Sequence, residues 1–415
     1  MTGLVNRDDD AVVITPDTLS RLTDMPASAR QVLSSAARLR SGQMRMRVPD
    51  GRVLLFCGAE MGPEAEIELK DWRGLSRVAA GGDCGFAEGF MAGEWDSPDV
   101  AKVLELFSEN LDHMTELVEG HSRLKLFLLR AYHWLHQNTR RGAKKNIHAH
   151  YDLGNEFYSQ WLDPSMTYSA ARYAHRGQKL EDAQRNKYHR LARELDLKPG
   201  DHVLEIGSGW GGFAEFAAKD IGARITGLTL STEQLAFAQA RAQNAGLSER
   251  MQFKLVDYRD VDGEFDAVVS IEMFEAVGER YWPAYFNKIR SVLKPSGRAG
   301  LQIITIRDDL FKSYRNRTDF IQRYVFPGGM LPSVDRLSKE FTQAGLSLNN
   351  VETFARDYAE TLREWAQRFL NAWDNIRGLG FDERFKRLWA FYLAYCEAGF
   401  RTGRTDVAQF TLARR

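Results

Sequence analysis

Residues Val203 to Phe213, VLEIGSGWGGF, decide the fold. A short apolar strand ends at Glu205, and Gly207, Gly209, Gly211 and Gly212 follow before a helical segment begins. Glycines let the backbone turn sharply and come close to a ligand, as dinucleotide loops do. Working outward, short apolar runs alternate with helical segments: HVLEIG, ARITGLTL, MQFKLV, FDAVVSIE and RAGLQIITI. Such alternation predicts βαβ units with right-handed crossovers, hence an α/β, doubly wound and mostly parallel sheet.

A dinucleotide site calls for G-x-G-x-x-G and an acidic residue about 20 positions further on. Here the next strand ends in GLTLSTEQ, with no carboxylate until Glu233. The E-x-G-x-G-x-G spacing resembles instead the S-adenosylmethionine loop of class I methyltransferases, which cradles no pyrophosphate and keeps its acidic residue near the methionine end. Asp257, in LVDYRD, falls where such enzymes place an acceptor for the adenine amine, although a turn or helix cap explains it equally well. Ser231 and Gln234 have the spacing of a capping box, a helix-start role compatible with cofactor contact.

Ahead of this domain, residues 1–20 read as a loose tail and 21–122 as a small α+β domain. MRMRVPDGRVLLFCG alternates around the turn Asp50-Gly51 as a hairpin would, and EAEIELKDW continues in that style. GGDCGFAEGFMAGEWDSPD closes the domain, with Ser97 as the expected N-cap and Pro98 in the first turn of the next helix. Residues 123–145 read as an apolar helix leading into the basic run RRGAKK: either an interdomain helix with a solvated end or a contact to anionic lipid headgroups. Residues 146–415 make up the remaining domain. Within it Leu362, Trp365, Phe369, Trp373 and Ile376 share one helical face, and Phe385, Trp389, Tyr392 and Cys396 continue the pattern.

Lys plus Arg and Asp plus Glu are both 56, so no net positive field gathers a phosphate backbone, and a nucleic-acid partner is not expected. Cys57, Cys84 and Cys396 are odd in number and form no C-x-x-C pair, which supports neither a disulfide framework nor a metal site and fits a reducing cytoplasm. No signal-peptide order and no run of about 18 apolar residues occurs, so the expected location is cytoplasmic, at most on a membrane surface.

The ordered set HYDLGNEFYSQWLDPSMTYS, LEIGSGWGGF, GLTLSTEQ, DYRD, MFEAVG and FPGGMLPS, with GGDCGFAEGFMAGEWDSPD before it, resembles the cyclopropane-fatty-acyl-phospholipid synthases over about residues 45 to 400. The resemblance implies a class I methyltransferase fold with added helices and a small N-terminal domain that engages lipid. It implies transfer of the S-adenosylmethionine methyl to a cis double bond in an unsaturated phospholipid, by an enzyme peripheral on the inner face of the cytoplasmic membrane. A homodimer and a separate reductase or desaturase are compatible partners. Carried over by position, Tyr168, Ser169, Glu205, Gly207, Gly209, Gly211, Thr229, Gln234 and Asp257 contact the cofactor, and Glu275 and Tyr358 lie at the reacting centre.

The resemblance also implies a bound bicarbonate as the base that closes the ring, held by a Cys in Y-S-C-A, the Glu of M-F-E-H-V-G, a His in H-T-I, a backbone amide and the Tyr. Here the first motif reads Tyr168-Ser169-Ala170-Ala171, the third Ile304-Thr305-Ile306, and Ala276 follows Glu275. With apolar side chains at Ala170 and Ile304, a buried anion loses donors, at a cost of several kcal/mol on rough transfer estimates. Bicarbonate is therefore not expected in its usual place, and the methylated cation is expected to undergo a hydride shift or lose another proton, giving a methyl-branched or methylated unsaturated chain. Ring formation remains the alternative. Two rivals from other classes are a lipid-binding protein without chemistry, which a cofactor titration separates, and a methyltransferase of soluble small molecules, which labelled cofactor with lipid extract separates.

Overall fold

The computed structural model describes residues 11–22, 24–113 and 153–414. The helix and basic run expected at 123–145, and His150 to Asp152, lie outside the described residues. The chain divides into two compact units: residues 1–127 with 381–402, and residues 128–380 with 403–415.

The first unit carries a five-stranded sheet in the order β1-β3-β2-β4-β5. Strands β2 (Ser41–Arg47) and β3 (Val53–Cys57) form the expected antiparallel hairpin. Gly51 supplies the left-handed turn residue at φ 89°, and the Arg52 N–H donates to Asp50 Oδ1 at 3.1 Å. In β4 (Glu60–Leu69) the outward Glu64, Glu66 and Glu68 alternate with buried Ala65, Ile67 and Leu69, yet β4 joins β2 in parallel and does not extend the hairpin. Part of the expected tail is built into this sheet. Strand β1 (Val12–Val13) pairs with β3, and the helix Pro16–Arg21 is boxed by Thr15 and Thr18. The next expected cap also moves: Asp99, not Ser97, caps the helix Val100–Asn110, accepting the Lys102 N–H at 3.0 Å, while the Ser97 hydroxyl accepts the Asp99 N–H. Asp99 is the extended residue whose carboxylate reaches the first-turn amides.

The helix Glu383–Arg401 belongs to the first unit, which corrects the expectation that one domain runs unbroken from 146 to 415. Its Phe391 meets Phe86, Phe90 and Trp95, the last strand residue pair being β5 (Trp95–Asp96). Arg387 donates to the carbonyls of Phe90 and Trp95 and to the Asp96 carboxylate, and its guanidinium lies 4.1 Å from the Phe90 ring centroid. Periodicity reveals that a helix buries a face; it does not say against which partner.

The second unit is built on a seven-stranded sheet ordered β11-β12-β10-β9-β6-β7-β8. Strands β6 (His202–Ile206), β7 (Arg224–Thr229), β8 (Met251–Leu255), β9 (Phe265–Ile271) and β10 (Leu293–Ile306) coincide with the five expected strands and pair in parallel. Only β12 (Thr405–Arg414) runs antiparallel, between β10 and β11 (Leu346–Thr353). The chain leaves β6 to one side for β7 and β8 and returns on the other for β9 and β10. That makes the carboxyl end of β6 the switch point at which an open α/β sheet holds its ligand. The expected aromatic stripe is buried throughout Leu362, Trp365, Phe369, Trp373 and Ile376, although Ala372 divides it between the helices Ala355–Asn371 and Trp373–Gly378.

Candidate active site

Strand β6 delivers Glu205 into the interior and stops. Its Oε2 has no hydrogen-bond partner among the described residues, and burial holds its carboxyl well above the usual carboxylate range. Beyond it Gly207, Gly209 and Gly211 all take positive φ, at 84°, 51° and 82°. The turn is pinned to β7 by the Gly207 and Ser208 N–H groups, which donate to the Leu228 carbonyl at 3.0 and 2.8 Å. At the end of β7 the Thr229 hydroxyl donates to Gln234 Oε1 at 3.1 Å, and Ser231 caps the following helix through the Gln234 N–H. An orphaned buried acceptor beside an open left-handed glycine loop fits a ligand with hydroxyl or ammonium donors, such as S-adenosylmethionine. Asp257 shows the cap arrangement: it accepts the Arg259 N–H at 3.0 Å and pairs with the Arg259 guanidinium at 2.6 Å.

An aromatic wall joins this loop to the far side of the site. Trp210, its Nε1 donating to Asn155 at 2.6 Å, lies 5.1 Å from Tyr158 between ring centroids. Tyr158 meets Tyr168 at 5.5 Å, Tyr168 meets Trp365 at 5.4 Å, and Trp365 meets Tyr358 at 6.2 Å. The adjoining Ser169 is turned inward, its hydroxyl accepting a 2.6 Å hydrogen bond from the ammonium of Lys187, which is fully buried. Ala170 and Ala171 have no accessible surface and contribute backbone N–H groups, one to Glu272 Oε1 at 2.8 Å and one to Thr361 Oγ1 at 3.1 Å.

The wall ends on two carboxyl groups carried just past β9. Glu272 is one of three described non-glycine residues with positive φ, at 49°. Its Oε1 accepts from the Ala170 N–H and, at 2.7 Å, from Gln302 Nε2; its Oε2 accepts from the Tyr358 hydroxyl at 2.6 Å. Glu275 takes a single strong donor, the Ile304 N–H at 2.6 Å, and its Oε2 is buried without a partner among the described residues. Burial, reinforced by the Glu272 charge, pushes the Glu275 carboxyl up to about 8. Burial raises Glu272 as well, against the Lys187 charge and its three hydrogen bonds, while burial brings the Lys187 ammonium down to about 7. Three donors favour the ion at Glu272, and an unsatisfied oxygen favours the acid at Glu275.

Of the two expected reacting residues, Tyr358 bonds Glu272, which also holds the Ala170 amide, and Glu275 lies within reach of the Glu272 charge. Glu272, Lys187, Gln302 and Gln409 were not among the residues expected from sequence. Gln302 and Gln409 face each other across β10 and β12, Gln409 Nε2 donating to Gln302 Oε1 at 3.0 Å. The sequence held a signal for Lys187: Leu180, Gln184, Lys187, Tyr188 and Leu191 share one face of the helix Leu180–Glu194, so two polar residues occupy core positions. For Glu272 the signal was its place directly after a parallel strand.

Glu275 has a pH consequence. A carboxyl raised in the folded state binds more protons than in the unfolded chain, so its stabilising contribution is complete below the usual carboxylate value and is lost as pH rises towards about 8. Without added cofactor, the difference in stability between the parent and Glu275→Gln is expected to change across pH 5 to 8 by at most about 1.4 kcal/mol per pH unit, the variant gaining as pH rises. Urea unfolding at each pH measures it; parallel profiles for the two proteins contradict the assignment.

Residues 137–410 match the family model described as mycolic acid cyclopropane synthetase. The tuberculostearic acid methyltransferase UfaA1 of Mycobacterium tuberculosis is 41% identical over 357 residues, covering 81% of this chain and 80% of that protein. The cyclopropane-fatty-acyl-phospholipid synthase of Escherichia coli strain K12 is 34% identical over 355 residues, covering 84% and 88%. Among solved structures, the mycolic acid cyclopropane synthase CmaA1 complexed with SAH and CTAB superposes with a TM-score of 0.61 at 30% identity, over 65% of this chain and 97% of that one.

Proposed function

The chain belongs to the mycolic acid cyclopropane synthetase family, and from that premise we propose that it transfers the methyl group of S-adenosylmethionine to a double-bond carbon in an unsaturated acyl chain of a membrane phospholipid, giving a methyl-branched or methylated unsaturated product. The observation that carries this reading is the continuous aromatic wall from Trp210 at the glycine loop to Tyr358 at the two carboxyl groups. The relatives named for tuberculostearic acid methylation and for acyl-phospholipid cyclopropanation support it.

When bound, S-adenosylmethionine supplies an electrophilic methyl on a sulfonium centre. Glu205, Gly207, Gly209, Gly211, Thr229 and Gln234 are the residues that would hold it, together with Tyr168, Ser169 and Asp257. An alkene is a poor nucleophile, so the chain's own task is to align it, keep water out and face the developing cation with π surfaces and a carboxylate. Tyr158, Tyr168, Trp365 and Tyr358 suit that task. Tyr358 further orients Glu272 through its hydroxyl.

Among the described residues no helix is long and apolar enough to cross a membrane. The phospholipid substrate of this reading is what leads us to assign the enzyme to the inner surface of the cytoplasmic membrane. The first unit is the part we assign to lipid engagement. A saturated branched chain then requires a separate reductase, because methylation followed by proton loss leaves one double bond.

Ring and alkene products are isomers, each the substrate plus CH2, so mass alone does not separate them. Purified protein with methyl-labelled S-adenosylmethionine and liposomes of monounsaturated phospholipid is expected to give a labelled chain whose proton spectrum has olefinic or branched-methyl signals and no cyclopropane methylene. Absence of label in the acyl chain rejects the activity; label confined to the ring rejects the product.

A further inference from the structure

Among the described residues, the neutral donors that surround Glu272 and Glu275 are already given to those two carboxyl groups and are closed to a free anion. The Tyr358 hydroxyl proton, the Ala170 N–H and a Gln302 amide proton all go to Glu272, and the Ile304 N–H goes to Glu275. Each N–H or O–H proton makes one good hydrogen bond, so bicarbonate could enter only by displacing a protein carboxylate from its partners, and would stand next to that carboxylate's charge. The residues present therefore do not fit bicarbonate. What they do fit is the Glu272 carboxylate itself, held at three points and placed by a backbone conformation that a side chain other than glycine adopts only at a cost of about 1–3 kcal/mol. Strain of that kind persists where the surrounding structure fixes it, and here Tyr358, Gln302 and the Ala170 amide do so.

Resting on the methyl-transfer reading above, we propose that Glu272 is the general base of the reaction, a carboxylate built into the chain at the place where a free anion would otherwise serve. In methyl transfer the alkene π pair forms a carbon–carbon bond at one alkene carbon as the sulfonium S–CH3 bond breaks, its electron pair staying on sulfur in the departing S-adenosylhomocysteine, and the neighbouring carbon is left electron-deficient. A C–H bond adjacent to the cationic carbon, whether in its first position or after a hydride shift, then breaks. Its electron pair becomes the new C=C bond, and the proton passes to a Glu272 oxygen, leaving a neutral carboxylic acid that is deprotonated by solvent after the product departs. No oxidant or reductant is consumed. Lys187, buried and acting electrostatically on Glu272, favours the anion that begins the cycle, and Glu275 keeps its own proton beside it. Gln302, braced by Gln409, and Tyr358 are positioning residues for the base.

Three measurements on the full chain test this. The parent rate on monounsaturated phospholipid liposomes is expected to be the same in carbonate-depleted buffer and in millimolar bicarbonate. Glu272→Gln, nearly isosteric, is expected to lose at least about 100-fold in kcat, with S-adenosylmethionine affinity by calorimetry within threefold of the parent. Glu272→Gly, at a φ that glycine accepts freely, releases the Tyr358, Ala170 and Gln302 donors for an added anion, and its rate is expected to rise at least tenfold with formate or bicarbonate. A parent rate that falls tenfold without bicarbonate, a Glu272→Gln rate within threefold of the parent, or a Glu272→Gly enzyme indifferent to both anions each overturns the proposal. A parent that labels no acyl chain defeats the function proposed above instead, so the two failures are separable.

Discussion

Gly207→Ala is expected to bind S-adenosylmethionine at least about 100-fold more weakly than the parent, a loss of roughly 2.7 kcal/mol. Gly207 sits at φ 84°, where a Cβ meets the following carbonyl at a cost of about 1–2 kcal/mol. An added Cβ would also lie 2.6 Å from Met273 Cγ and 2.8 Å from its Cβ. Met273 is next in sequence to Glu272, so relief of the clash moves either the loop from its Leu228 hydrogen bonds or the carboxylate from its three partners. Gly209 offers the contrast, because a Cβ there meets nothing within 4 Å and carries only the backbone strain. Gly209→Ala is accordingly expected to cost less. Calorimetric titration of both variants checks the order, and a Gly207→Ala affinity within threefold of the parent contradicts the account of the loop.

The second large effect is at Trp365. It has no accessible surface and meets Trp161, Tyr168 and Tyr358 at centroid separations of 5.7, 5.4 and 6.2 Å. Truncating such a side chain costs roughly 3–5 kcal/mol through lost transfer energy and the cavity left behind. Trp365→Ala should therefore lower the melting temperature by about 10 °C. Its catalytic loss should exceed the loss of folded protein: Tyr168 and Tyr358 both lean on this ring, and a displacement of about 1 Å at a reacting centre can cost on the order of 100-fold. Assays well below the variant's melting temperature separate the two effects. Unchanged kcat in fully folded Trp365→Ala would remove the aromatic wall from the catalytic account, and Trp365→Phe, which preserves most of the ring surface, should recover much of the stability.

The N-terminal departures from expectation share one cause. Alternation of charged and apolar residues marked β4 as a half-buried strand, but pairing direction depends on where the chain enters the sheet, so its parallel partner β2 was not evident from local pattern. The periodicity of the helix Glu383–Arg401 announced a buried helix in the same way, while the partners of its Phe391, a residue outside the expected stripe, are Phe86, Phe90 and Trp95, some three hundred positions earlier.

By itself the sequence determined the mostly parallel sheet and the glycine loop; the switch point at the end of β6 came with the strand order. The first two follow from local rules: a period of two or 3.6 in apolar residues, and the sparse set of residues that tolerate a left-handed turn. The sequence also shows Ala170 and Ile304 at the two positions where the family resemblance implies side-chain donors to an anion. Only the tertiary structure decided what replaces them, because the Ala170 amide, the Tyr358 hydroxyl, and the Ile304 amide with the Gln302 side chain on β10 come from three separate stretches of chain and meet at Glu272 and Glu275 once the sheet has formed. Donor saturation is a property of that meeting. No spacing along the chain encodes it, since hydrogen bonds and desolvation depend on distances that folding alone sets.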